Sequence, residues 1–385
     1  MSNQLTAFVG ADIFDGNRLF AGHALLVRAR AVQAVLPLRD VPDGARRHDL
    51  GGGTLAPGFV DLQVNGGGGI MFNDDPSLAS LETIARAHAR LGATSILPTL
   101  ITDTPQQTRA AIEAAALAIA RGVPGVIGLH LEGPHLSLAR KGAHDPDLIR
   151  PMEEQDLEVL LEAAKRLAVL KITVAPENVS LVQMRRLSAA GILLSLGHTD
   201  ARYASCIAAV ENGARCVTHL FNAMSQLGNR EPGLVGATLA RGELSAGLIA
   251  DMIHVHPETI SVALRAKRGP GRIFLVSDAM ATAGSDISHF VLNGRRIMRN
   301  GGRLTLEDGT LAGADLDLTS AIRNLVSNTG TDLAQAIAMA TTIPAALIGK
   351  ANKLGGLRKG GQADFVHLSG KLELASVWQA GALLR

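Results

Sequence analysis

Three residues far apart in the chain combine into a set that could hold a hydrolytic metal ion. Glu132 lies in Leu129-His130-Leu131-Glu132-Gly133-Pro134-His135, His198 in Ser195-Leu196-Gly197-His198-Thr199, and His219 in Val217-Thr218-His219-Leu220-Phe221-Asn222. Each sits at the end of a short apolar run. One carboxylate and two imidazoles suit a zinc-like cation, and three protein ligands leave a position open for water or substrate. A lone histidine in such a place is commonly hydrogen-bonded structure; three ligand types at three separate strand ends shift the balance towards a metal site. A further carboxylate, Asp278 in Val276-Ser277-Asp278-Ala279, follows another apolar run. It is either a helix N-cap or a general base that takes a proton from activated water and later returns it to a leaving amine. A charge pointing into the mouth of an apolar fold favours the second reading.

Weaker signals flank this centre. Lys141-Gly142-Ala143-His144 follows the Glu132 segment and could bring His144 to a substrate carbonyl. Asn222-Ala223-Met224 could present amides to a phosphate, and Gly228-Asn229-Arg230-Glu231-Pro232-Gly233 carries one guanidinium, a good phosphate partner. His254 follows Ile249-Ala250-Asp251, and Pro176-Glu177-Asn178 closes another run. Each of these alone is also what a solvated loop contains.

The elements that must position these groups follow from the apolar pattern. Nearly continuous apolar runs occupy 55–64, 94–99, 125–131, 171–175, 192–196, 216–220, 245–249 and 272–277, with helical stretches such as 78–91, 105–121, 153–170 and 182–190 between them. Buried parallel strands separated by helices predict an α/β fold, and eight such units predict a (β/α)8 barrel, 57–355, whose active site lies at the carboxyl ends of the strands. A doubly wound open sheet is the competitor, weakened by the lack of a Gly-x-Gly-x-x-Gly turn after an early strand. Residues 1–56 and 356–385 read instead as short β runs with turn signals, which predicts one small β-sandwich built from both termini. Asn293-Gly294, Asn300-Gly301-Gly302 and Asp308-Gly309 predict a β-hairpin excursion near 289–313 on the eighth strand–helix loop, with the eighth helix resuming near 317–326.

Bulk composition narrows the function classes. Of 385 residues, 47% are hydrophobic but only 3% aromatic, so the core is aliphatic. A formal net charge of +2, with no basic run, argues against nucleic-acid or membrane binding. No apolar window reaches the roughly 18 residues a membrane span needs. Met1 to Gly10 shows no signal-peptide pattern, and Cys206 and Cys216 form no disulfide framework, so the expected location is the cytoplasm. No Gly-x-Ser-x-Gly elbow supports a serine hydrolase, and both cysteines fall in apolar contexts. A catalytically silent sugar-phosphate binding protein is the reading from another class.

Taken in order, these segments resemble the N-acetylglucosamine-6-phosphate deacetylases of the amidohydrolase superfamily. The resemblance rests on Pro57-Gly58-Phe59-Val60-Asp61-Leu62-Gln63-Val64-Asn65-Gly66, Leu131-Glu132-Gly133-Pro134, Lys141 to His144, Gly197-His198-Thr199, His219-Leu220-Phe221-Asn222-Ala223-Met224, Arg230-Glu231-Pro232-Gly233 and Ser277-Asp278-Ala279. It spans nearly the whole chain. It implies hydrolysis of an acetamide on an amino-sugar phosphate, with Glu132, His198 and His219 as metal ligands, Asp278 as acid and base, and His144 on the acetamide carbonyl. It implies substrate contacts from Gln63, Ala143, Asn222, Ala223, Arg230, His254, Leu311, Ala312 and Gly313. It also implies a homodimer in which Arg230 and His254 reach the neighbouring subunit's site. Many superfamily members carry His-x-His at the end of strand one, helping to hold a second metal; here the positions read Gln63-Val64-Asn65. Neutral amides are poor ligands, so one divalent ion per subunit is expected, zinc first, with iron(II) or another divalent ion as alternatives. His135 stands where the family often has an aromatic residue, and is expected either beside the metal ligands or on the substrate. His130 is expected to be a hydrogen-bonded core residue. An epimeric substrate, N-acetylgalactosamine 6-phosphate, would use the same metal site.

Overall fold

The computed structural model describes residues 4–385; Met1 to Asn3, part of the segment read for a leader, lie outside the described residues. Two compact units partition the chain, one of 62–87 and 96–316, the other of 88–95, 317–385 and the described residues up to 61.

An eight-stranded parallel sheet runs in sequential order through Val60–Val64, Ser95–Ile101, Leu129–Glu132, Leu170–Val174, Leu193–Leu196, Cys216–Val217, Ser245–Leu248 and Ile273–Leu275. Nearly every residue of these strands is buried, as expected when both faces are covered. The sheet closes into a barrel where Val64 bridges Ala279, with the Asn65 N–H donating to the Ala279 carbonyl at 2.9 Å and the Asp278 N–H to the Gln63 carbonyl at 3.1 Å. That closure brings the ends of strands one and eight side by side. Inside the barrel a polar layer is internally satisfied. His130 bonds Thr99 Oγ1 at 3.1 Å and Thr173 Oγ1 at 2.7 Å, and Thr173 and Ser195 both meet Thr218 Oγ1. His130 is thus the core residue expected.

The connecting helices begin where local chemistry supplies a cap. Pro105–Ala120 starts with Thr104 accepting from the Gln107 N–H and proline in the first turn, and Leu181–Ala189 starts with a Ser180/Gln183 capping box. After the eighth strand the chain forms a four-stranded antiparallel meander, His289–Leu292, Arg295–Asn300, Arg303–Thr305 and Leu311–Ala314. Its first two turns place Asn293, Gly294, Gly301 and Gly302 all at positive φ, the backbone that two-residue hairpins require.

The second unit holds two sheets. One contains Leu5–Val9, His23–Arg28, Ala31–Pro37 and Arg46–Asp49; the other joins Asp12–Phe14, Leu19–Phe20 and Thr54–Pro57 to the C-terminal strands Phe365–Leu368, Leu374–Gln379 and Ala382–Leu383. Phe8, Leu25 and Val27 of the first pack with Ile13, Leu55, Phe365 and Trp378 of the second, so both chain ends build one sandwich core. The helix Leu318–Thr329, capped by Asp317, belongs to this unit.

Candidate metal centre and active site

Glu132, His198 and His219 lie far apart in the sequence, and the barrel brings them together. All three are buried at consecutive or near-consecutive strand ends. His198 Nε2 and His219 Nε2 stand 3.0 Å apart, and they lie 3.4 and 3.2 Å from Glu132 Oε1. Ligands held about 2.0–2.1 Å from one tetrahedral ion are about 3.3–3.4 Å from each other, so this spacing fits such an ion. The chemistry of the set fits as well. His198 Nδ1 faces the Arg140 carbonyl at 2.8 Å; a carbonyl only accepts, so Nδ1 carries the ring proton and Nε2 presents its lone pair. Two ring nitrogens and a carboxylate oxygen this close need positive charge among them. The pKa shifts show the same demand. Burial opposes the charge on Glu132, but the adjoining imidazoles of His198 and His219 outweigh it and hold the carboxyl well below its usual range. Burial also opposes protonation of His219, yet the adjoining Glu132 lifts its pKa above the ordinary value.

Asp278 faces this cluster from strand eight. Its Oδ1 accepts from Gln63 Nε2 at 3.0 Å and Asn65 Nδ2 at 2.8 Å. Gln63 Nε2 also reaches both Glu132 oxygens, at 3.3 and 3.2 Å. Burial and then the negative charge of Glu132 push the Asp278 carboxyl up from its ordinary pKa, making it a better proton acceptor than a surface aspartate. His144 is buried beside His198, with ring centroids 4.3 Å apart. The Thr102 N–H donates to its Nδ1 at 3.3 Å, so the neutral ring carries its proton on Nε2, as a donor. Burial, followed by the charge of His198, holds its pKa well below the usual histidine value.

The backbone is strained where these groups are held. His198, His219, Phe221, Ala223, Met252 and Asp278 all have positive φ without being glycine, and all lie just past barrel strands. Such conformations persist only where the surroundings over-determine them, and they gather at functional sites.

A cavity of about 400 Å³ opens over the cluster, lined by Asn65, Glu132, Arg140, Ala143, His144, His198, His219, Asn222, Ala223, His254, Asp278, Leu311 and Gly313 among others. That volume suits a sugar-sized ligand. Three expected contact residues are placed elsewhere. Gln63 is completely buried and engages Glu132 and Asp278 instead of forming a wall, because strand one ends beneath the cavity floor. Ala312 points into the meander core with Phe290, Leu292, Ile297 and Leu304, because alternation along Leu311–Ala314 sends its neighbours Leu311 and Gly313 the other way. Arg230 is exposed on its loop and does not line the cavity. His254, expected to reach a neighbouring subunit's site, lines the cavity of its own chain, with Nδ1 2.6 Å from Asp251 Oδ2. His135 lines not this cavity but a separate pocket with Pro134, Arg150 and Asp156; its Nδ1 meets the Arg150 carbonyl at 3.1 Å and its Nε2 lies 3.9 Å from Asp156. Two contributors were not singled out from sequence, Asn65 and Arg140. Asn65 sits two residues after Gln63, so the pattern of alternating side chains at a strand end was the available signal; nothing in sequence marks Arg140.

Comparison with known proteins accords with this geometry. Residues 54–382 match the Amidohydrolase family and residues 6–55 match the NagA composite domain. An N-acetylgalactosamine-6-phosphate deacetylase of Shewanella sp. (strain ANA-3) is 44% identical over 87% of this chain and 84% of its own length. An N-acetylglucosamine-6-phosphate deacetylase of Haemophilus influenzae is 33% identical over 92% of each. The crystal structure of N-acetylglucosamine-6-phosphate deacetylase from Pasteurella multocida superposes with a TM-score of 0.94 at 34% identity, covering 98% of this chain and 99% of that one. The chain belongs to the amidohydrolase family, alongside these amino-sugar-phosphate deacetylases.

Proposed function

We propose that this protein hydrolyses the acetamide of N-acetyl-D-glucosamine 6-phosphate to D-glucosamine 6-phosphate and acetate, in amino-sugar catabolism. The observation that carries the reading is the convergence of Glu132, His198 and His219 next to a hydrogen-bonded Asp278. One divalent cation per subunit, zinc first and iron(II) or another divalent ion as the alternative, is held by those three residues. When bound, it supplies Lewis acidity, making water a competent nucleophile near neutral pH. The engagement of the Gln63 and Asn65 amides with carboxylates supports a single cation.

The chain's own residues do the remaining work. Asp278, with Oδ1 held by two amides, uses Oδ2 to accept the proton of the attacking water. His144 donates from Nε2 to the acetamide oxygen as negative charge develops there. Asp278 then gives its proton to the sugar nitrogen, which leaves as the amine. Asn222, Ala223, Ala143, Leu311 and Gly313 shape the cavity around the sugar. The same reading takes 57–355 as the catalytic barrel between sandwich segments 1–56 and 356–385, and a cytoplasmic homodimer in which Arg230 reaches the partner's site. The cysteines support a reducing compartment: both are buried and free, with burial pushing the Cys206 thiol up to about 12. Among the described residues no helix is long and apolar enough to cross a membrane.

A second reading, N-acetylgalactosamine 6-phosphate as substrate, is favoured by the 44% identity to the Shewanella enzyme. Acetate release from the two epimers, with and without chelator and alongside elemental analysis, separates them. The proposal expects chelator-sensitive release, a higher kcat/KM on the gluco epimer and one equivalent of metal. Preference for the galacto epimer transfers the assignment to the second reading, and no release from either refutes both.

A further inference from the structure

We propose that Asp251 is a positioning residue for the substrate's phosphate group, acting through His254. The proposal rests on the deacetylase reading above and extends it to a residue that touches no substrate. Asp251 closes the turn after strand seven. Its Oδ1 accepts the N–H groups of Ile253 at 2.9 Å and His254 at 2.8 Å, and its Oδ2 accepts Nδ1–H of His254 at 2.6 Å. Both carboxylate oxygens are thereby engaged inside the protein, and both side chains are more than nine-tenths buried, at 5% and 8% exposure. Between them Met252 holds a φ of 65°, a backbone that a side-chain-bearing residue keeps only when its neighbours fix it.

The consequence falls on the ring. With Nδ1 tied to a carboxylate, Nε2 is the nitrogen left for the cavity that His254 lines. An imidazole backed by a carboxylate is held in one orientation, and a phosphate bound at Nε2 would place an anion at each ring nitrogen, which the ring meets by donating from both. Burial works to raise the Asp251 carboxyl, but the hydrogen bond and charge of His254 and the two backbone donors hold it below its ordinary range, so it stays ionised at neutral pH. The cavity's guanidinium, Arg140, is already paired with Asp200 at 2.8 Å. The proposed substrate has one anionic group, its phosphate, and Nε2 of the carboxylate-backed His254 ring is the cavity atom placed to meet it.

The test uses the metal-loaded protein and inorganic phosphate as probe, titrated calorimetrically into wild type, Asp251→Asn, His254→Gln and the double variant. Asn at 251 keeps an oxygen for the two backbone N–H groups while removing the charge behind the ring, so the turn and the charge are tested apart. The expected result is phosphate affinity about tenfold weaker in D251N, a similar loss in H254Q, and a double variant no weaker than H254Q alone. In turnover, KM for the hexosamine phosphate rises about tenfold in D251N while kcat changes by less than about threefold. D251N binding phosphate like wild type, losses that add in the double variant, or a wild type that binds no phosphate each overturn the proposal. Absence of acetate release by wild type overturns the deacetylase reading instead, and the calorimetric comparison is independent of it.

Discussion

Two amide nitrogens converge on one oxygen of Asp278, 3.0 Å from Gln63 and 2.8 Å from Asn65. An oxygen that already accepts two hydrogen bonds is a poor place to put a proton, so the amides select Oδ2 as the working atom and fix the plane in which it acts. This separates what a carboxylate does here from what its charge does. Asp278→Asn preserves shape but cannot cycle a proton; turnover should fall by about two to four orders of magnitude with metal content unchanged. Asn65→Ala removes one donor to a charged group, and should cost about ten- to a hundredfold in kcat, again with the metal retained. Steady-state kinetics with elemental analysis of the same preparations check both, and near-normal turnover in D278N would refute the assigned role.

The meander after strand eight shows how a secondary element can depend on one missing Cβ. Gly313 has a φ of 66°, and a Cβ added there would stand 2.5 Å from Met280 Cγ and 2.9 Å from the Asp278 carbonyl oxygen. The next residue rejoins the barrel through the Ala314 N–H, which donates to that same carbonyl at 3.0 Å. Met280 can move; the Asp278 backbone cannot without moving the base. Gly313→Ala should therefore lower kcat about tenfold or more, beyond the ~1–2 kcal/mol that left-handed backbone costs a non-glycine residue, and adding Met280→Ala should not restore activity. Restoration by the second change would place the damage at the methionine. The same element shows what the sequence discloses and what it withholds. Asn-Gly pairs announce the turns, and apolar runs ending in Glu132, His198 and His219 announce the metal cluster, because burial pattern and residue type are local properties. The phase that sends Ala312 into the core and Gly313 to the cavity is not local. Nor is the bond from Asn65 to a residue 213 positions away, which exists only because the barrel closes. His254 was found by type, but its placement in its own chain's cavity came from the turn that Asp251 closes.

At the scale of the molecule, the phosphate site proposed at His254 calls for a further cation. Arg140 is paired to Asp200, and His254 supplies one imidazole, whereas a phosphate is commonly met by more than one cationic donor. Arg230 lies exposed on a loop that also presents Leu227, 59% exposed, so a guanidinium and an apolar contact are offered together at one surface. A two-fold dimer that buried this loop would bring Arg230 of one subunit to the cavity of the other, and the isologous geometry would do so twice. Complementation tests this without a structure of the dimer. Arg230→Ala fails for want of a cation in its partner's site, and Asp278→Asn fails for want of a base in its own. When the two are unfolded together and refolded as a mixture, the R230A subunit of each mixed dimer keeps its Asp278 and receives Arg230 from its neighbour. With random pairing about a quarter of all sites should regain activity at low substrate concentration. If Arg230 serves its own chain or no site at all, the mixture will stay at the sum of the two variants measured separately, and the shared-site dimer is wrong.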